Sequence, residues 1–559
     1  MNLCGVARRH PVPRRSGLVT ASVAADVAIG SFTDNGPWVI DLDELPWRRD
    51  LVRVRDAVRR SVPELTKRER VPPVGRMLTT LRHLGLPLAV WAVRDRGTDR
   101  STASISRRLR IAAEQLGPTY IKLGQIISSG EGIFPEDLVN EFRKCRDQVP
   151  AESFAAVRRV VEEDLGRPLE SVFRTFERTP LAAASIAQVH AATLATGEEV
   201  VVKVQRPQVQ TLVRRDLRVM SWVAPLLVGR IPISALANPP ALVELFAETI
   251  SEELDFRLEA ENMLDVARAF AELGQRGYVV PRPHPELVTK RVLVMERLSG
   301  FAFDDVVGMK NAGVDTEAVI RTGMIGSMEG ALIHGIFHGD LHGGNLFVRP
   351  DGRTALLDFG ITGRLSEERR IALLRLLIGA SMNDLTIQMT ALRDLGALPP
   401  DTDIQEVITT LGLDRPVVDP TTMTGDELVQ EIQRTVKGLL GIGARMPKEL
   451  MLFVKNMVFL DGAIATLAPD LDIIGEVAHV SEVIAARHGE RIMDQLGMEF
   501  DPDWQADTTG FKASLGLTPD VEKITYRDLQ ERRKVIGERL QSAQTKPGPR
   551  RKPRPWRRA

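Results

Sequence analysis

Cysteine is nearly absent. Cys4 and Cys145 are the only two in 559 residues, and they lie too far apart in sequence to suggest a disulfide framework. A reducing, cytoplasmic setting is therefore expected. Net charge is absent as well: 74 basic residues balance 74 acidic ones, so no global field favours nucleic acid. Long apolar runs are also missing. The longest, Leu84–Val93 and Val219–Val228, are too short to cross a bilayer and are bounded by arginine, so no transmembrane helix is expected. The basic N-terminus lacks the apolar core of a secretory signal, because Asp26 and Asp34 break the stretch that follows Gly17. No aromatic stacking platform accompanies the basic stretch Lys546–Arg558, so nucleic acid is not an expected partner.

What remains is ample material for a buried core, with 43% of residues hydrophobic. Residues 1–100 mix proline, arginine and short apolar runs and read as a variable, partly disordered region that then becomes helical. In 101–168, Ile111, Leu116, Tyr120, Leu123 and Ile127 recur at helical spacing, with prolines between segments. In 169–300 the texture changes. Val172–Phe176, Ile186–Leu194, Val200–Val204 and Arg291–Glu296 read as strands, Thr196-Gly197-Glu198-Glu199 as a hairpin turn, and Ala241–Leu273 as one long helix. Residues 301–498 read as mainly helical, interrupted by a loop and short strands over Gly335–Gly360. Residues 499–559 read as an exposed helix, Tyr526–Leu540, and a disordered basic tail. The fold class is α+β.

The chemistry concentrates in three places. His338-Gly339-Asp340 is followed by Asn345, and then by Asp358-Phe359-Gly360 after a strand-like run. This spacing is that of a kinase catalytic loop and its metal-binding D-F-G. Phosphoryl transfer gathers negative charge, which a divalent metal must neutralise, and hard Mg²⁺ prefers oxygen ligands. Asn345 and Asp358 are the metal candidates, and Asp340 is the group that would accept a hydroxyl proton. Lys203, in the buried strand Val200-Val201-Val202-Lys203, is costly there unless paired, and the expected use is to grip nucleotide phosphates. Glu259, on the helix that follows, is its candidate partner. Glu296, closing its strand, joins the nucleotide-binding candidates. Each signal is weak alone: a lysine at a strand end is usually solvated, and Asp340 alone reads as a helix cap. Their joint order is the argument. His334, His338 and His342 recur every four residues, but the glycines between them oppose a continuous helix, and loop bracing is expected rather than metal binding.

Two kinase features are missing. A Gly-rich loop is replaced by Leu181-Ala182-Ala183-Ala184-Ser185-Ile186, and alanine denies the backbone freedom that glycine gives beside a phosphate. No A-P-E follows D-F-G, so a peptide-docking segment has no obvious place.

With these residues in hand, the chain resembles the UbiB (AarF, ADCK) family of atypical kinase-like proteins. Lys122-Leu123-Gly124-Gln125 matches its K-x-G-Q, Ala182-Ala183-Ala184-Ser185 its Ala-rich loop, Glu253-Leu254-Asp255 its E-x-D, and the His338–Asn345 and D-F-G blocks its metal site. Glu259 falls at the usual site of the lysine-pairing glutamate. The match covers roughly 105–375 well. The resemblance implies a two-lobed protein-kinase-like fold whose helical extension, 101–168, packs over the active site. In that fold Lys122 and Gln125 reach the pocket, with Glu253 and Asp255 close by. It also implies Mg-ATP binding, phosphotransferase or ATPase activity, and support of isoprenoid quinone or other lipid metabolism. The partners implied are a lipid or isoprenoid substrate, a homodimer or biosynthetic complex, and peripheral contact with the inner face of a membrane, to which the basic tail with Trp556 would contribute. A nucleotide-binding pseudokinase scaffold is the alternative. The chain departs from the family pattern at Leu341 and Gly343, where both prolines of the loop are lost, and a more flexible loop is expected there.

Overall fold

The computed structural model describes residues 31–544, except 69–72, 97, 99–100, 129–133, 145–149, 228–238, 415–418, 445 and 502–503. Cys4, Cys145 and the basic stretch from Lys546 lie outside the described residues.

Two helices, α1 (Ser101–Leu116) and α2 (Pro118–Ser128), form the extension, separated at Gly117, whose φ of 98° suits only glycine. The helix α3 (Phe154–Leu165) starts on Ser153, whose side chain accepts from Ala156 N–H, and stops at Gly166 in the left-handed region. A sheet follows. Its strands are β1 (Phe173–Phe176), β2 (Ala182–Ala183), β3 (Ala187–Leu194) and β4 (Glu199–Gln205). After β5 (Tyr278–Val279), which belongs elsewhere, β6 (Pro283–Val288) and β7 (Val292–Glu296) complete it in the order β1-β3-β4-β7-β6, with β2 on β3.

Alternation along β4 decides which way Lys203 faces. Val200, Val202 and Val204 are buried with Val292 and Val294 against Val157, Val160 and Val161 of α3, on the outer face. Side chains alternate in a strand, so Lys203, opposite Val189 and Leu293, points to the inner face and the cleft.

The single helix expected over Ala241–Leu273 is two, α4 (Pro239–Glu253) and α5 (Phe256–Glu272). Asp255 breaks it. Its backbone is extended and its carboxylate accepts from Arg257 N–H as the N-cap of α5. Hydrophobic periodicity passes through such a break unnoticed, because both halves bury the same kind of face.

The second lobe contains α6 (Thr316–Glu329), a small sheet of β8 (Phe301–Ala302), β10 (Leu346–Val348) and β11 (Thr354–Leu356) with β5, and the pair β9 (Ile336–His338) and β12 (Thr362–Arg364). It continues with α7 (Lys448–Leu467), α8 (Ile473–Leu496) and α9 (Tyr526–Gln544). The helix α7 is long and apolar enough to cross a membrane, unlike the shorter runs Leu84–Val93 and Val219–Val228. Here it packs inside this lobe, beside α6, and Thr316 Oγ1 donates to Leu467 O at 2.7 Å. The helix α9 reaches four residues beyond its expected end, and it is not wholly exposed: Tyr526 and Leu529 enter the core.

Residues 31–48 form a strap across the lobes. Val280 N–H donates to Ser31 O at 2.9 Å, Trp38 Nε1 donates to Pro283 O at 3.0 Å, and Phe32, Ile40, Leu45 and Trp47 are buried. Arg282 is its anchor. The guanidinium lies over Phe32 at 4.8 Å and donates to Thr33 O at 2.7 Å. A Cβ at Gly36 would fall 1.5 Å from Arg282 Nη1, so only glycine lets the strap approach this closely. Arg282→Ala is expected to remove about 3 kcal/mol of stability, because it leaves Glu296 and Thr33 without their buried cation. The midpoint of urea unfolding measures it, and an unchanged midpoint would show that the strap is held without the guanidinium.

Candidate functional site

The cleft between the lobes gathers charged groups from five distant parts of the chain. Lys203 Nζ lies 2.7 Å from Glu259 Oε1, one turn into α5, and 3.2 Å from Asp358 Oδ1. Its ammonium also stands 5.5 Å above the Phe256 ring. Burial opposes its charge, but Asp358 and Glu259 hold it above the ordinary lysine range. Asp358 is one of few non-glycine residues at positive φ, 55°, and this bend lets its carboxylate accept from Gly360 N–H at 3.1 Å while facing Lys203. Burial works against its ionisation, yet Lys203 and Lys122 bring it down to about 2.

From α2, Lys122 Nζ pairs with Glu253 Oε1 at 2.9 Å. Glu253 is buried and Lys122 half-buried, and a Cβ at Gly360 would meet Glu253 Cγ at 3.3 Å, so this pair sits against the D-F-G turn. Burial penalises the Lys122 charge, but Glu253, Asp340 and Asp358 together raise it. Gln125 follows one turn later on α2, half-buried. Asp255 does not join the cleft carboxylates. Arg257 holds both its oxygens, at 2.9 and 2.6 Å.

The catalytic-loop candidates are pinned from several sides. His338 is kept neutral by burial; Nε2 donates to Leu357 O at 3.0 Å and Nδ1 accepts from Asp340 N–H at 3.1 Å. Asn345 donates its amide to Asp340 O at 3.1 Å, which leaves its carbonyl oxygen as a neutral hard donor. His342 N-caps the turn Gly343–Asn345 by accepting from Gly344 N–H, so bonds stand where the loop lacks prolines.

Sequence reasoning missed Lys455 and Asn456, neighbours on α7. Lys455 Nζ donates to Asp340 Oδ1, and Asn456 Nδ2 donates to His338 O at 2.5 Å. Burial raises the Asp340 carboxyl, but Lys455, then Lys122 and His342, more than reverse this and hold it far below the usual range. No local signal marked them, since both sit more than a hundred residues from the loop in an apolar helix.

The Ala-rich segment is a hairpin. Ala182 and Ala183 pair with Val189 and Gln188, Ala184 N–H donates to Ala187 O at 2.9 Å, and Ser185 is buried. Arg206 Nε ties it down by donating to Ala184 O at 2.9 Å. Glu296 stands apart, its carboxylate accepting from Thr33 Oγ1 and from Arg282 N–H at 3.3 Å, so it serves the strap. His334 pairs with Glu272 at 3.0 Å, and among the described residues no group of three His, Cys, Asp or Glu side chains could hold a metal.

The donor set does fit Mg²⁺ with a nucleotide. Asp358 carboxylate and Asn345 carbonyl are hard oxygens, and magnesium typically takes one or two protein oxygens with phosphates and water completing its shell.

Comparison with known proteins agrees. Residues 144–390 match the family model described as the ABC1 atypical kinase-like domain. An uncharacterized protein of Mycobacterium tuberculosis is 37% identical over 365 residues, which cover 63% of this chain and 73% of that protein. A protein named "Probable protein kinase UbiB" of Sodalis glossinidius is 30% identical over 483 residues, covering 81% of this chain and 84% of it. Another of that name, from Aeromonas salmonicida, is 32% identical over 377 residues, with 66% and 68% covered.

Lys455→Ala should raise the pH at which Asp340 takes up its proton by roughly one to three units, because a carboxylate that loses its neighbouring cation is protonated at higher pH. Lys455→Arg keeps the charge and should keep that pH in place. Acid titration followed by the carboxyl carbon resonances of aspartate-labelled protein, assigned with Asp340→Asn, tests both, and an unmoved titration in the alanine variant would remove Lys455 from control of Asp340.

Proposed function

Because the chain belongs to the ABC1 atypical kinase-like family, which includes the proteins named UbiB, we propose that it binds Mg-ATP in this cleft and hydrolyses it or transfers its terminal phosphoryl group. The reading extends to support of isoprenoid quinone or other lipid metabolism, at the inner face of a membrane, by a cytoplasmic protein. The observation that carries it is that Lys203 Nζ lies within 3.2 Å of both the Glu259 and the Asp358 carboxylates, in the cleft that also holds Asp340 and Asn345.

The roles follow from the chemistry of each group. Lys203, fixed by Glu259, presents a full positive charge to the α/β-phosphates. The Ala182–Ser185 hairpin covers them. Asp340, ionised through neutral pH by the cations around it, orients a hydroxyl or water and accepts its proton. Mg²⁺, held by Asn345 and Asp358, would neutralise charge developing on the phosphoryl oxygens. The Lys122–Glu253 pair and Gln125 narrow the entrance, which favours a small or lipid-borne acceptor over a peptide.

A second reading, a nucleotide-binding scaffold with little turnover, is favoured by one feature: lysines already neutralise Glu253 and Asp340. One experiment separates them. ATP hydrolysis by the purified protein is measured with Mg²⁺, with and without anionic liposomes. Asp340→Asn should lower turnover at least about a hundredfold while nucleotide still binds. Asp358→Asn should abolish Mg-dependent binding. Binding without turnover in the unaltered protein would leave the scaffold, and unchanged affinity in Asp358→Asn would sink the metal assignment.

A further inference from the structure

Just before the extension, an outer helical segment turns an apolar face to solvent. It runs from Val74–Thr80 through a π turn, Leu81–Gly85, into Leu86–Arg94. Its inner face is firmly attached. Met77, Thr80 and Trp91 are buried, Arg76 Nε donates to Asp216 at 2.5 Å, and Trp91 Nε1 donates to Ser101 O at 3.0 Å. Its outer face is Val74, Leu78, Leu81, Leu86, Val90 and Val93, with Leu78 and Leu86 each 64% exposed and Val93 90%.

These residues form one stripe. Val74, Leu78 and Leu81 are spaced four and three apart, as are Leu86, Val90 and Val93. The join is five residues, from Leu81 to Leu86. Five would rotate a regular α-helix out of phase. Here Leu86 N–H bonds to Leu81 O across the π turn, and that wider turn brings the fifth residue back above the first. The stripe exposes several hundred Å² of apolar surface, more than stray surface leucines do.

The charges around it identify the occupant. Between Val74 and Ile111 the chain has eight arginines and two acids, Asp95 and Asp99, in a molecule of formal net charge +0. Arg82, Arg94, Arg96 and Arg107 are exposed and carry no ion pair among the described residues. The exposed stripe contains no aromatic side chain; its one tryptophan, Trp91, points inward. The hot spots of protein interfaces are enriched in tryptophan, tyrosine and arginine, and valine and leucine are under-represented among them. An apolar aliphatic strip rimmed by uncompensated arginines instead matches a bilayer surface, where acyl chains and anionic headgroups lie side by side.

We propose that the outer face of 74–94 is the surface by which this protein docks on an anionic membrane. The inference rests on the reading of the protein as one that works at membranes, and it names the surface. It also sets the orientation: Thr80 Oγ1 lies 3.3 Å from the Tyr120 hydroxyl, and Tyr120 is two residues before Lys122 on α2, so the docked face backs onto the helix that enters the cleft.

The test uses the full chain and vesicles of phosphatidylcholine, alone or mixed with phosphatidylglycerol. The unaltered protein should sediment only with the mixed vesicles. Leu86→Glu with Val93→Glu, and separately Arg82→Glu with Arg94→Glu, should each lower partitioning at least about tenfold. Removing Lys546–Arg558 should leave most of it. All of these positions are exposed or terminal, and thermal unfolding confirms that the variants fold. The proposal is overturned if the unaltered protein ignores mixed vesicles, if either double variant partitions normally, or if only loss of the tail abolishes binding. It is also overturned if Leu86→Glu with Val93→Glu splits a dimer without changing partitioning, which would make the stripe a subunit interface. Nucleotide affinity is measured on the same preparations, so a protein that docks through the stripe but binds no nucleotide would sink the kinase reading and leave this one standing.

Discussion

Four carboxylates share one cleft, Glu253 and Glu259 buried and Asp340 and Asp358 partly open, and three lysines, Lys122, Lys203 and Lys455, make that tolerable. An unpaired ion in such a place costs several kcal/mol. Each lysine comes from a different unit: the extension, the sheet and a late helix of the second lobe. The charges therefore hold these units in register, and none can leave without exposing a carboxylate. With all four ionised, one negative charge remains in excess, which favours a bound cation.

Backbone geometry puts the charges there. Strand alternation turns Lys203 away from the valine face. The cap at Asp255 ends α4 with Glu253 against the D-F-G turn and restarts α5 with Glu259 one turn in. A straight helix through 254–255 would carry the two glutamates at different angles, and one of the two lysine pairs would be lost. Asn262, further along α5, donates to Phe359 O at 2.9 Å, so the same helix that supplies Glu259 also fixes the turn that presents Asp358.

The parts of this arrangement that were legible in the sequence are those written locally. A short valine run and a turn gave the strands around Lys203, and fixed spacings gave Asp340, Asn345 and Asp358. Glu259 was legible as a helix acid following the strand lysine. What stayed hidden depends on tertiary contact. Lys455 looks like any polar residue in an apolar helix until α7 is laid beside the catalytic loop. Glu296 and Asp255 carry acids at plausible places, but Arg282 and Arg257 reach them first. The strap was unreadable for a similar reason, since Phe32, Ile40 and Trp47 follow no period and find their core only after both lobes exist.

The unequal burial of the two added lysine pairs bears on what the cleft accepts. A nucleotide triphosphate brings more negative charge than one divalent cation cancels, so a lysine now facing a carboxylate has to turn toward phosphate. Glu253 is 5% exposed at its side chain, and among the described residues Lys122 is the cation nearest to it, so releasing Lys122 would strand a buried charge. Asp340 is 19% exposed and keeps Lys122 and His342 in its field when Lys455 leaves. Lys455 is thus the cheaper of the two to redirect, and the Lys122–Glu253 pair is the one expected to persist with nucleotide bound. On the proposed nucleotide-binding reading, the extension then stays docked with nucleotide bound, which favours an acceptor as small as water or a lipid headgroup.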